Sequence, residues 1–135
     1  MAVQFSVAVR NARLDAIETA VGTSAVLRIF TGAAPANCAA ANSGTLLATF
    51  NLPSDWATTA SGGVKSKSGT WQETSADGSG TAGHSRLYAS DGTTCHAQGT
   101  VTATGGGGDM TLDNTNIATA QVVTINQWDL TDGNA

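Results

Sequence analysis

A chain of 135 residues that is 41% hydrophobic, 12% charged and 5% aromatic falls among single small soluble domains, with a thin core and a surface of Gly, Ala, Ser and Thr rather than ions. Six Lys and Arg against ten Asp and Glu give a formal charge of -4, which offers no electrostatic footprint for nucleic acid or an anionic membrane. No run approaches the roughly 20 apolar residues of a membrane span, and Arg10, Arg13, Asp15 and Glu18 break any signal-peptide core, so synthesis in the cytoplasm is expected.

The first predicted element is a helix over about 7–20. Ser6 stands at its N-cap, Gly22 stops it, and Leu14, Ile17 and Val21 recur with helical spacing. That stripe is expected to lie on the core, with Arg10, Arg13, Asp15 and Glu18 kept wet on the other side. The competing assignment for the same stretch is a short strand in which Phe5, Val7 and Val9 alternate.

After Gly22 the texture becomes that of short strands between Gly, Asn, Asp and Ser clusters. Strands are expected over 25–31, 45–52, 69–74, 84–89, 95–103, 109–112 and 121–130, with one helical turn over 55–60. Asp91-Gly92 marks a hairpin, and Gly105 to Gly108 reads as a hairpin linker. The fold class is therefore mainly β, a sandwich or jelly-roll-like domain over 1–135 with one N-terminal α-helix and a loose tail over 131–135. Leu14, Ile17, Val21, Leu27, Ile29, Phe50 and Trp71 are the expected core. Two stretches without a strand signal, 32–42 and 75–83, are the expected exposed excursions.

Each chemical motif meets a plainer reading. Cys38, His84, Cys95 and His96 are the only candidates for zinc, but Cys95 and His96 are adjacent, so on a strand they point to opposite faces. Two cysteines are too few for a disulfide scaffold and fit a reducing compartment, although a pair close in space would oxidise after release from the cell. The glycine run lacks the Lys-Ser/Thr of a phosphate loop. Glu73, Asp77, Asp109 and Asp113 are the only paired-carboxylate candidates, and Asp109 to Asp113 beside Asn114 and Asn116 is a weak oxygen-ligand set for calcium. Trp56, Trp71 and Trp128 offer a sugar-stacking platform, with core filling as the stronger alternative. No Ser-His-Asp triad is readable. The expectation is a protein without catalysis, cofactor or metal.

The segments Arg10 to Gly22, Leu27-Arg-Ile-Phe-Thr-Gly32 and Ser43-Gly-Thr-Leu-Leu-Ala-Thr-Phe50 together resemble a family of small tailed-phage and prophage proteins. The likeness continues through Gly69-Thr-Trp71, Ala82-Gly-His84, Asp91-Gly-Thr93 and Leu112-Asp-Asn-Thr115 to Thr131-Asp-Gly-Asn-Ala135, while Ser85 stands where a large apolar residue is expected. The resemblance implies a virion structural role, with the protein made in the bacterial host cytoplasm and placed on the outer capsid surface. There it would decorate or cement the head by binding the major capsid protein, self-associating as a dimer or trimer. A tail or head-fibre component that binds carbohydrate is the alternative. Loops and terminal arms carry binding on β frameworks, so the expected contacts are Ala2, Val3, Gln4 and Phe5, then Ala33, Ala34, Pro35, Ala36 and Asn37, then Asp77, Gly78 and Ser79.

Overall fold

The structure is a computed structural model that describes residues 3–133. It is mainly β with one N-terminal α-helix: α1 (Val7–Val21) precedes β1 (Val26–Thr31), β2 (Leu46–Asn51), β3 (Val64–Ser66), β4 (Gln72–Glu73) and β5 (Gly80–Tyr88). The chain continues through β6 (Cys95–Ala103), β7 (Met110–Leu112), β8 (Asn116–Ile117), β9 (Val123–Thr124) and β10 (Gln127–Thr131). Strands pair in the order β2-β1-β5-β6-β7-β10-β3, with β8 on β5 and a separate β4-β9 pair. In a flat sheet β1 and β10 would lie roughly 19 Å apart, four strand spacings. Leu27 of β1 and Trp128 of β10 instead line one cleft and share one core cluster, so the sheet curls over itself.

The helix forms where its caps place it. The Ser6 side chain accepts from the Val9 N–H at 3.3 Å, and Gly22 at φ 89° returns its N–H to Glu18 at 2.9 Å. Leu14 and Val21 are buried and Ile17 packs on the core, and of the charges expected to stay wet Arg13 is exposed while Arg10, Asp15 and Glu18 are half-buried. Arg10 donates to the Asp132 carbonyl, while Asp15 and Glu18 both pair with Lys65. Those charges flank the apolar stripe and tie it down; the outward face is Ala8, Val9, Ala12, Ala16 and Ala20, all exposed.

Several boundaries move for identifiable reasons. Residues 55–60 are extended rather than helical, since Ala57 bridges Lys67 and Thr58 N–H bonds Ser66. The expected strand at 69–74 shrinks to β4, and β3 arises at Val64–Ser66 because β10 reaches it. The 121–130 strand splits into β9 and β10, and β5 begins at Gly80, inside the expected excursion. Of the tail expected to be loose, Thr131 pairs with Val64 and Asp132 bonds Gly63, Arg10 and Arg13, while residues 134–135 lie outside the described residues. The glycine run is no hairpin linker either, because β6 and β7 are parallel. Gly105 and Gly107 take left-handed backbones, and Gly106 and Gly108 pass so close to Thr102 that an added Cβ would lie 2.8 Å from it. The chain thereby doubles back across β6 and starts β7 beside Val101.

The three tryptophans fill the centre. Trp56, Trp71 and Trp128 are 0%, 1% and 6% exposed, with ring centroids 5.3 to 6.3 Å apart in tilted and edge-on arrangements. Ser85 is buried on the same inner side, opposite Ile29 and Gly99.

Lys65 is a buried cation, 1% exposed at its side chain, 2.8 Å from Asp15 and 2.7 Å from Glu18. Burial pushes its pKa down, yet the two carboxylates outweigh burial and hold it above 10.5. Asp15 is held below 3.8 by Lys65 and by the Ala60 N–H. The Asp15 contribution to stability is present above its unfolded value and lost as pH falls through its lower folded one; the Lys65 contribution is complete below 10.5 and lost as pH rises through its higher folded value. Melting temperature should therefore fall below about pH 5 as Asp15 protonates and, through Lys65, above about pH 10, with the Cys95 thiol, raised from 9.0 to about 11, adding an alkaline decline that begins about one unit lower. Lys65→Met should flatten the alkaline fall, and an alkaline limb identical to the parent's would refute this assignment.

Candidate functional site

Strand pairing builds one polar face on the outer side of the sheet. In the β1–β5–β6 ladder Arg28, Arg86 and Gln98 lie in one row, Phe30, His84 and Thr100 in the next, and Val26, Tyr88 and Cys95 in a third. Directly opposed residues share a face, so these side chains stand together away from Leu27, Ile29 and Leu87. The segment 32–44 folds down over them.

Arg86 organises that segment. It is 2% exposed, and its guanidinium donates to the Asn42 side chain at 2.5 Å and to the carbonyls of Cys38, Ala40 and Asn37 at 2.8, 3.1 and 3.4 Å. Tyr88 Oη donates to the same Asn42 oxygen at 2.6 Å, Gln98 Nε2 donates to the Pro35 carbonyl at 2.6 Å, and the His84 ring bonds the Gly32 carbonyl at 2.9 Å. Asn37 turns the chain by accepting from the Ala39 and Ala40 N–H groups. The expected contact residues 33–37 are thus a fixed surface: Ala33, Ala36 and Asn37 are exposed, while Ala34 and Pro35 are half-buried.

Asp77, Gly78 and Ser79 cover the β2 edge. Asp77 and Gly78 N–H groups both donate to the Leu47 carbonyl, at 2.8 and 3.2 Å, and Thr49 Oγ1 donates to Asp77 at 2.8 Å. At Gly78 a Cβ would sit 2.5 Å from the Leu46 carbonyl oxygen, so the approach requires glycine. The segment occupies an edge that would otherwise invite another strand. The two excursions meet at their bases, where Gly83 approaches Gly32 and Gly80 approaches Thr31.

The third expected contact region sits elsewhere. Ala2 lies outside the described residues; Val3 is 75% exposed and Phe5 41%, with Val7 and Val9 at 45% and 42%. Arg13 covers the Phe5 ring at 5.1 Å. This arm leads into α1, which packs on β3 at the opposite end of the strand order from β2.

The remaining candidates are engaged locally. Asp109 accepts from the Thr100 N–H and hydroxyl, Asp113 from Asn126, and Asn114 from the Asn116 N–H, while Glu73 accepts from the Ser75 N–H. Among the described residues no three His, Cys, Asp or Glu side chains converge as metal ligands. The buried tryptophans leave no two indoles on an exposed face, so they build no sugar platform. Cys38 and Cys95 are both half-buried, with their Sγ atoms 2.7 Å apart, and His96 is exposed. Burial and the Cys38 contact push the Cys95 thiol up to about 11 against the pull of Arg86.

Arg86, Tyr88 and Gln98 were not singled out as site residues from sequence. The available signal was scarcity: with six cations in the whole chain, one inside a strand had to find carbonyls or a carboxylate. No family model matches the chain, and nothing matches among curated proteins or solved structures.

Proposed function

We propose that this chain is a non-enzymatic structural protein of a phage virion, a decoration protein on the outer head surface that bridges major capsid protein subunits, itself a dimer or trimer. The observation that carries the reading is the run of exposed apolar side chains on the arm and first helical turn, Val3, Phe5, Val7 and Val9, continuous with the alanine face of α1. Apolar surface of this kind marks a contact to be covered. High copy number on a repeating shell lets such a small contact suffice.

The cations support an apolar rather than ionic attachment. All six are engaged within the fold: Arg10 and Arg13 at Asp132, Arg28 at Gly92, Lys65 at Asp15 and Glu18, Lys67 at Gly69, and Arg86 at the 32–44 segment. Binding that draws little on charge should persist in high salt.

Deleting residues 2–5 spares the Ser6 cap and every core residue. The shortened protein should melt like the parent yet occupy fewer sites on heads, as counted by quantitative mass spectrometry of purified particles. Undiminished occupancy would remove the arm from the interface, and a parent count of a few copies per particle would favour a tail location.

A further inference from the structure

We propose that Cys38 and Cys95 are a disulfide-forming pair that staples the 32–44 segment onto β6 when the protein meets an oxidising, disulfide-containing medium. The inference goes beyond the decoration reading and does not depend on it.

Three observations converge. The two sulfurs lie 2.7 Å apart although the residues are 57 positions apart in sequence, so the fold has already closed the loop that a bond would constrain. Both partners are held in place independently of any bond between them. Arg86 grips the carbonyls at Asn37, Cys38 and Ala40, and Cys95 stands opposite Tyr88 at the β5–β6 bulge. The pair also lines an open cleft of about 420 Å³ with Arg28, Asn42, Arg86, Tyr88 and Thr93, and neither cysteine is fully buried.

Either cysteine can open the exchange, since both line the cleft, and the route through Cys38 balances in two steps. The Cys38 thiolate attacks one sulfur of a low-molecular-weight disulfide such as oxidised glutathione and expels one glutathione thiolate. Cys95, giving up its proton, then attacks Cys38 Sγ in the mixed disulfide and expels the second. Two protein thiols are oxidised, one glutathione disulfide is reduced, and the two thiol protons end on two glutathiones.

The test equilibrates the full-length protein in graded mixtures of reduced and oxidised glutathione, folded and in urea, followed by acid quenching, intact mass and peptide mapping. The folded protein should lose two hydrogens in mass, yield a peptide joining Cys38 to Cys95, and reach half-oxidation at an oxidised-to-reduced ratio at least about tenfold lower than the urea-unfolded chain. Oxidation should raise its melting temperature by about 5 to 15 °C. Cys38→Ser and Cys95→Ser should each abolish both changes. Free thiols in the most oxidising mixture, persistent glutathione adducts, linkage between chains, or equal ratios for the folded and unfolded protein would overturn the proposal.

Discussion

Trp71→Ala is expected to cost about 3 to 5 kcal/mol, the range for truncating a fully buried large aromatic. Trp71 is 1% exposed, touches both other indoles at centroid distances of 5.3 and 6.3 Å, and accepts the Ile125 N–H at its carbonyl, which holds the β4–β9 region to the centre. Both neighbouring indoles are buried in the same cluster, and Trp56 is tied by its Nε1–H to the Gly22 carbonyl, so the space left is filled only in part. Its Nε1–H bonds the Ser68 carbonyl at 3.1 Å, so truncation also strands an acceptor. Urea unfolding of the isolated protein measures the loss. A change below about 1 kcal/mol would mean that the three indoles do not form a single packed unit.

Arg86→Ala should cost about 1 to 3 kcal/mol by a different route. Here the penalty comes from the Cys38 and Ala40 carbonyls and the Asn42 side chain, which lose a common donor beneath the 32–44 segment, and from lost stacking on Tyr88 at 5.9 Å. The two variants should differ in where protection is lost. Hydrogen exchange should accelerate throughout the core in Trp71→Ala, and first in residues 32–44 in Arg86→Ala. Arg86→Lys should recover little, because one ammonium cannot serve acceptors spread across the fork of a guanidinium. Unchanged exchange over 32–44 would show that the segment is held by other bonds.

What the sequence made legible follows the range of the interactions involved. The helix was readable because both of its stops are local: a serine whose side chain accepts from Val9, and a glycine that takes a left-handed backbone. The 95–103 strand was readable from its own composition and the Asp91-Gly92 turn before it. The parallel β6–β7 pair was not, since four consecutive glycines specify freedom and not direction; only the contacts of Gly106 and Gly108 with Thr102 select the return path. Likewise β3 exists because β10 pairs with it, a partner more than sixty positions away. At the candidate site the start of the first excursion after Thr31 was legible, but the end of the second was not, since β5 begins at Gly80, and neither were the anchors. Arg86 and Gln98 act across strand pairings, and nothing near residue 65 in the sequence indicates that Lys65 is buried against Asp15 and Glu18.

The exposed faces follow from the same economy of charge. Each cation has a partner within the fold and only Arg13 is exposed, so the surface left for a partner is mostly alanines, the arm and short polar loops. A protein that binds an assembled shell and not its free subunits must favour the intact shell by its differential affinity, and about 1 to 3 kcal/mol per copy accumulates over many copies. The most direct measurement is the temperature of genome release from heads stripped of the protein and from the same heads after it is added back, in low and in high salt. Release should come at a higher temperature from the decorated heads, by the same margin in both salts; equal release temperatures for bare and decorated heads would contradict the account.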